Sequence, residues 1–176
     1  MTHIVIMRHG APDSTDTLSK TGREEVQKMA NLLKLDGFSP DYIITSNTLR
    51  TIETTKELMK VYDVAPENTV VGEVLCKRGK HDFRLALTDL FNLDTIFVSG
   101  HAENIQFLTY NVLGEDQFPE ISKSVLKDDF TCPAGGVNKG RYQIRGSKFV
   151  DTIVLSTEAT QQYNKAEYRF HSAYRL

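Results

Sequence analysis

At 176 residues the chain is long enough for one domain with a sizeable core and too short for two comfortable ones. Hydrophobic residues make up 40% and charged residues 25%, the net charge is −2 and the pI about 6.2. No global field therefore draws the molecule to nucleic acid or an anionic membrane, and any anion must be held by a local cluster of cations. No apolar run approaches the ~20 residues of a membrane span, and Cys76 and Cys132, far apart and outside any CxxC spacing, suggest a reduced, cytoplasmic protein with no cysteine metal site.

The opening MTHIVIMRHG carries the apolar run IVIM over 4–7. No basic segment precedes it and no small-residue cleavage site follows, so it reads as a core strand rather than a signal peptide. A continuous apolar run is what a strand buried on both faces requires, and this one runs directly into Arg8, His9 and Gly10. After a loop, LSKTGREEVQKMANLLKL (18–35) places Val26, Met29, Ala30 and Leu33 at helical spacing, with Thr21 and Glu24 spaced as a capping box at the start. PDYIITSNTLRTIETTKELMKVY (40–62) predicts a strand over 42–44, Ser46 as the N-cap, and a helix whose apolar face carries Leu49, Ile52 and Met59.

NTVVGEV (68–74) offers a third strand, and HDFRLALTDLFN (81–92) a helix with Phe83, Leu87, Leu90 and Phe91 on one face. TIFVSGH (95–101) is a strand ending in a histidine, and ENIQFLTYNVLG (103–114) a helix stopped at Gly114. Beyond 115 the periodicity weakens. SKFVDTIVLST (147–157) predicts a late strand and EATQQYNKAEYRFHSAY (158–174) a terminal helix or tail. PAGGVNKGRYQIRG (133–146) lacks the Gly-Lys-Ser/Thr ending of a phosphate loop and reads as an open loop, with Lys139, Arg141 and Arg145 as a basic rim able to guide an anionic substrate. His3 and His171 read as solvated. The alternation of strands and helices predicts one domain over 1–176, a three-layer α/β/α sandwich on a mainly parallel sheet.

In such sheets ligands sit beyond the carboxyl ends of the strands. Those ends carry Arg8-His9-Gly10, then Ser46 leading to Arg50, and Ser99-Gly100-His101, so two arginines and two histidines are expected to converge. Two guanidiniums grip a phosphate through charge-assisted bidentate bonds, and a protonated imidazole adds a third contact. A neutral imidazole with its other nitrogen fixed by the backbone can instead attack phosphorus. Gly10 permits the sharp turn that exposes such an imidazole. No acidic cluster stands ready for Mg²⁺, which argues against two-metal phosphoryl transfer.

MRHG after the first strand, LSKTG opening the first helix, TSNTLRTIETT after the second strand and VSGHAEN later resemble, in that order and over roughly residues 4–113, the histidine phosphatase superfamily of phosphoglycerate-mutase-like fold. The short length and VSGHAENIQFL are most similar to its SixA-type phosphohistidine phosphatases. The resemblance implies a cofactor-independent phosphatase without metal. In it His9 becomes phosphohistidine, Arg8 and Arg50 clamp the phosphoryl oxygens, and His101 stabilises charge on the transferred group before water releases phosphate.

One feature departs from the wider superfamily, where many members carry an acidic glutamate four residues ahead of a glycine before the third helix. Here VVGEVLCKRGKHDF has Leu75 at that spacing from Gly79, leaving Glu73 as the possible general acid, with Asp82 and His81 as further candidates. A polarised imidazole leaves more readily than an alkoxide, so a missing acid favours protein phosphohistidine as substrate. A small-molecule phosphomonoesterase acting on a sugar or nucleotide phosphate is the first alternative, and a non-catalytic phosphate- or phosphoprotein-binding module the second. The expected partner is thus a phosphorylated protein or a small phosphorylated metabolite.

Overall fold

A computed structural model describes residues 1–72, 87, 89–101, 104–105, 152–158 and 167–174. The apolar run IVIM lies inside β1 (Thr2–Arg8), and the second expected strand is β2 (Tyr42–Thr45). The others are β3 (Thr69–Val71), β4 (Thr95–Gly100), β5 (Thr152–Thr157) and β6 (Tyr168–Tyr174). They form one six-stranded sheet in the order β3-β2-β4-β1-β5-β6. Strands β3, β2, β4 and β1 run parallel, while β5 is antiparallel to both β1 and β6. The tail expected to be a helix or unstructured therefore ends in a strand. β5 supplies a ladder of partners for Tyr168–Tyr174, and pairing of that kind is invisible to local periodicity.

The sheet is covered on both faces, as the uninterrupted apolar strands require. Side chains alternate along a strand, and Val5, Met7, Ile43, Phe97 and Val154 share one core with α1 (Lys20–Leu35) and α2 (Leu49–Tyr62). On the opposite face Ile4, Ile6, Ile44, Ile96, Val98 and Ile153 are equally inaccessible to solvent, as are Leu87 and Ile105. The six-stranded sheet with α1 and α2 packed on one face is that of the expected sandwich. Most of the helices expected over 81–92 and 103–114 fall outside the described residues, though Asn104 and Ile105 are helical. Leu90 and Phe91 lie in turns rather than on a helix face, because their neighbourhood is tightened by bonds from Leu90 N–H to Leu87 O and from Leu93 N–H to Leu90 O.

Helix α1 buries Val26, Met29, Ala30 and Leu33 as its spacing predicts. Its start differs from the expected Thr21–Glu24 box: Ser19 is the N-cap, and its hydroxyl accepts from Gly22 N–H. Helix α2 differs more. Thr48, not Ser46, caps it, Leu49 is 52% exposed, and its buried face carries Thr51, Thr54, Thr55, Glu57 and Leu58. Threonines suit this face because it meets polar strand ends: Thr51 Oγ1 donates to Ser46 O at 2.9 Å, and Ser99 Oγ donates to Thr51 O at 3.1 Å. Glu57, 1% exposed, is held between the helices by Arg23 at 3.1 Å, Gln27 at 2.8 Å and Lys60 at 3.0 Å.

His3 and His171, expected to be solvated, instead meet edge to face with ring centroids 5.3 Å apart, and both rings contact Phe38. Only His171 remains exposed. They line a groove beside the end of α1, remote from His9, where Tyr174 donates to Asp36 at 2.5 Å.

Candidate active site

Four of the residues singled out in the sequence stand on the carboxyl edge of the parallel strands. Arg8 ends β1 and His9 follows it, Arg50 lies in the first turn of α2, and His101 follows β4. Main-chain bonds join these segments: His9 N–H donates to Gly100 O at 2.9 Å, and Ser46 N–H to Ser99 O at 2.9 Å. Gly10 N–H donates to Thr54 Oγ1 at 3.0 Å, and that hydroxyl donates to Arg50 O at 2.8 Å. One threonine thus couples the turn after His9 to the turn that carries Arg50.

Three glycines set the closeness of this packing. A Cβ on Gly10 would stand 2.6 Å from Gly22 O, and one on Gly22 would stand 2.2 Å from Ala11 O, so both glycines of the RHG and LSKTG segments exist to let loop and helix backbone touch. A Cβ on Gly100 would stand 2.4 Å from Asn104 Oδ1. That oxygen accepts from His101 N–H at 2.7 Å, and Asn104 N–H donates back to His101 O at 3.0 Å. The GHAEN segment is a local device that fixes the backbone of His101.

Two hydrogen bonds define the state of the His9 ring. Nδ1 faces Gly10 O at 2.8 Å, and since a carbonyl only accepts, Nδ1 carries the proton. Arg50 Nε donates to Nε2 at 3.1 Å, so Nε2 offers a lone pair. The electrostatics agree with this tautomer. Burial lowers the His9 pKa from 6.5 to about 4 against the pull of the Gly10 carbonyl, and the charges of Arg50, His101 and Arg8 push in the same direction as burial. The imidazole is neutral at pH 7. A neutral ring tied at one nitrogen, with a lone pair presented among cations, is equipped to attack an electrophilic centre bearing negative charge.

His101 stands with its ring 5.4 Å from that of His9, inclined at 70°. Its Nε2 bonds Ser46 Oγ at 2.8 Å, which explains why Ser46 is not the helix cap: its hydroxyl is engaged 55 residues away. Arg50 is further bound through Nη1 to Asp16, which occupies the loop between β1 and α1 with φ 66°. The charge of Arg8 acts on His9 and on Glu25 of α1. Burial raises the Glu25 pKa against the pull of the Ala11 backbone and of the Arg8 and Lys28 charges.

Glu73, His81 and Asp82 lie outside the described residues, as do Lys139, Arg141 and Arg145. Among the described residues no group of three or more His, Cys, Asp or Glu side chains is arranged to hold a metal ion, and no helix is long and apolar enough to cross a membrane. Sequence reasoning missed Asp16, Thr54, Asn104 and the contact of Ser46. Only Asn104 left a local trace, four residues beyond Gly100 in a turn-forming segment. The other three act across the fold.

No protein-family model matches the chain, and no curated protein matches it in sequence. Solved structures do match. The protein histidine phosphatase SixA complexed with tungstate is similar with a TM-score of 0.63 at 17% identity, covering 99% of this chain and 97% of that one. A mycobacterial glucosyl-3-phosphoglycerate phosphatase gives 0.59 at 13% identity, with 97% of each chain covered. Phosphoglycerate mutase from Plasmodium falciparum gives 0.56 at 16% identity, covering 97% of this chain and 89% of that one. The chain therefore has the phosphoglycerate-mutase-like fold that these phosphatases and the mutase share.

Proposed function

We propose that this protein is a cofactor-independent phosphatase of the histidine phosphatase superfamily, acting through a phosphohistidine on His9, with protein phosphohistidine as its substrate. The observation that carries the reading is the His9 ring itself, neutral, tied at Nδ1 to Gly10 O and facing Arg50 with Nε2. Arg8 and Arg50 would grip the phosphoryl oxygens by charge-assisted bonds while His9 Nε2 attacks phosphorus in line. Arg50 Nε then moves from the lone pair it meets in the free protein to a phosphoryl oxygen. His101, oriented by Ser46 and Asn104, faces the charge that develops on the transferring group.

A new N–P bond forms at His9 as the P–N bond to the substrate imidazole breaks, and that imidazole, entering already protonated on its other ring nitrogen, leaves as the neutral ring. Water next attacks the phosphorus, the His9 N–P bond breaks, and inorganic phosphate departs. The ease with which an imidazole leaves makes the phosphohistidine substrate compatible with a site where the acid at Glu73 is not required. The likeness to a glucosyl-3-phosphoglycerate phosphatase favours a second reading, hydrolysis of a small phosphomonoester.

A paired assay without added metal separates the readings. Wild type and His9→Ala are offered a histidine-phosphorylated carrier protein and an aryl phosphate, and an acid-labile phospho-enzyme is sought by mass spectrometry. Fast turnover of the carrier with phosphate trapped on His9 is the expected result. Fast ester hydrolysis without action on the carrier selects the small-molecule reading, and binding without turnover leaves a phosphate-binding module. Retention of more than a few per cent activity in His9→Ala removes His9 as nucleophile.

A further inference from the structure

The guanidinium of Arg50 is held on two sides, and the side away from His9 is held by a residue with no assigned role. Nε donates to His9 Nε2 at 3.1 Å, while Nη1 is ion-paired with Asp16. In a guanidinium, Nε and Nη2 share one edge and Nη1 stands off it. Asp16 therefore takes the amino group that leaves the Nε–Nη2 edge free to face the histidine. That edge is one of the two forks by which arginine grips phosphate in bidentate fashion.

The loop around Asp16 is built to hold this carboxylate in place. Asp16 adopts φ 66°, a left-handed conformation that aspartate tolerates better than most residues. Asp13 closes the loop beneath it, accepting from Thr15 N–H at 2.7 Å and from Thr17 Oγ1 at 2.9 Å. Leu18 N–H is anchored to Glu53 of α2 at 2.5 Å, one helical turn beyond Arg50. Loop and guanidinium are thus referenced to the same helix.

We infer that Asp16 is a positioning residue that aims the Nε–Nη2 edge of Arg50 at Nε2 of His9, where the phosphoryl group would bind. The inference rests on the phosphatase reading for its functional meaning, but its geometric content can be measured without substrate. Among the described residues, Arg50, His101 and Arg8 act electrostatically on His9, and Arg50 is the one ion-paired with Asp16.

The test uses Asp16→Gly, which removes the carboxylate while keeping a backbone that accepts positive φ, and Asp16→Asn, which keeps an acceptor oxygen. His9 is titrated by imidazole ¹⁵N NMR in wild type, in both variants, in Arg50→Ala and in the double variant Asp16→Gly/Arg50→Ala. The sign is diagnostic. Merely deleting an anion lowers the pKa of a neighbouring histidine, whereas releasing Arg50 from the ring raises it. Asp16→Gly is expected to raise the His9 pKa as Arg50→Ala does, the double variant to add nothing, and Asp16→Asn to stay near wild type.

Binding of inorganic phosphate, followed by calorimetry, is expected to weaken about tenfold in Asp16→Gly and again to show no further loss from Asp16 once Arg50 is gone, as two residues acting through one contact require. An unchanged or lowered His9 pKa in Asp16→Gly, or losses that multiply in the double variant, overturns the inference. Coupled titration in a protein that turns over neither carrier nor ester leaves this inference standing and sinks the phosphatase reading instead.

Discussion

Gly22→Ala tests the packing on which the whole site rests. The added methyl carbon would stand 2.2 Å from Ala11 O and 2.8 Å from Ala11 N, both backbone atoms, about 1 Å short of ordinary contact. No side-chain rotation relieves this, so the loop after His9 must move off α1. Ala11 O also accepts from Ser19 N–H and Ser19 Oγ, each at 2.9 Å, and both bonds are strained by the movement. Overpacking costs about 1–3 kcal/mol and two weakened hydrogen bonds about 1 kcal/mol each, while alanine returns up to about 1 kcal/mol of helix propensity. The expected loss is about 2–4 kcal/mol, read as a drop of about 1–2 M in the urea midpoint. A shift of about 1 Å in the loop two residues beyond His9 should also lower turnover roughly a hundredfold. Gly37→Ala is the control: Gly37 has φ 89° with nothing near its missing Cβ, so it should lose about 1 kcal/mol from backbone strain alone and keep full activity. A Gly22→Ala protein as stable and active as wild type would refute the claim that glycine is required for this approach.

Two further outcomes are expected. The folded protein keeps His9 neutral down to about pH 4, while the unfolded imidazole protonates near 6.5, so the unfolded state binds more protons between those values. Acidification from pH 6.5 to 4 should therefore cost wild type about 3 kcal/mol more stability than His9→Gln, measured by denaturant unfolding at each pH, and equal slopes would contradict the assigned neutral state. Glu57→Ala should cost about 2 kcal/mol at pH 7, less than a fully buried pair because Arg23 and Lys60 are 38% and 68% exposed. Its partners hold the Glu57 pKa below 4.5, so the difference from wild type should be full above that pH and shrink on acidification through the folded value; a pH-independent difference would mean that packing rather than charge is lost.

What the sequence determined by itself is whatever depends on near neighbours. IVIM and IFV are apolar throughout because both faces of their strands are covered, and Val26, Met29, Ala30 and Leu33 fall on one side of α1 because the helix repeats every 3.6 residues. The convergence of Arg8, His9, Arg50 and His101 was legible too, because parallel strands place their carboxyl ends along one edge and each of these residues lies at or just past such an end.

Tertiary structure decided whatever depends on a partner distant in the chain. Ser46 has the chemistry of a helix cap, yet its hydroxyl bonds His101, and a cap two residues later was free to take its place. Helix α2 buries threonines and Glu57 where its pattern suggested Leu49, because the surface it meets is made of strand ends and the polar side of α1. Tyr168–Tyr174 became a strand because β5 offers an unpaired ladder edge, and Asp16 reaches Arg50 only because a left-handed turn folds its loop back over α2. A hydrogen bond or a β-pair needs two groups, and one-dimensional periodicity reports on only one of them.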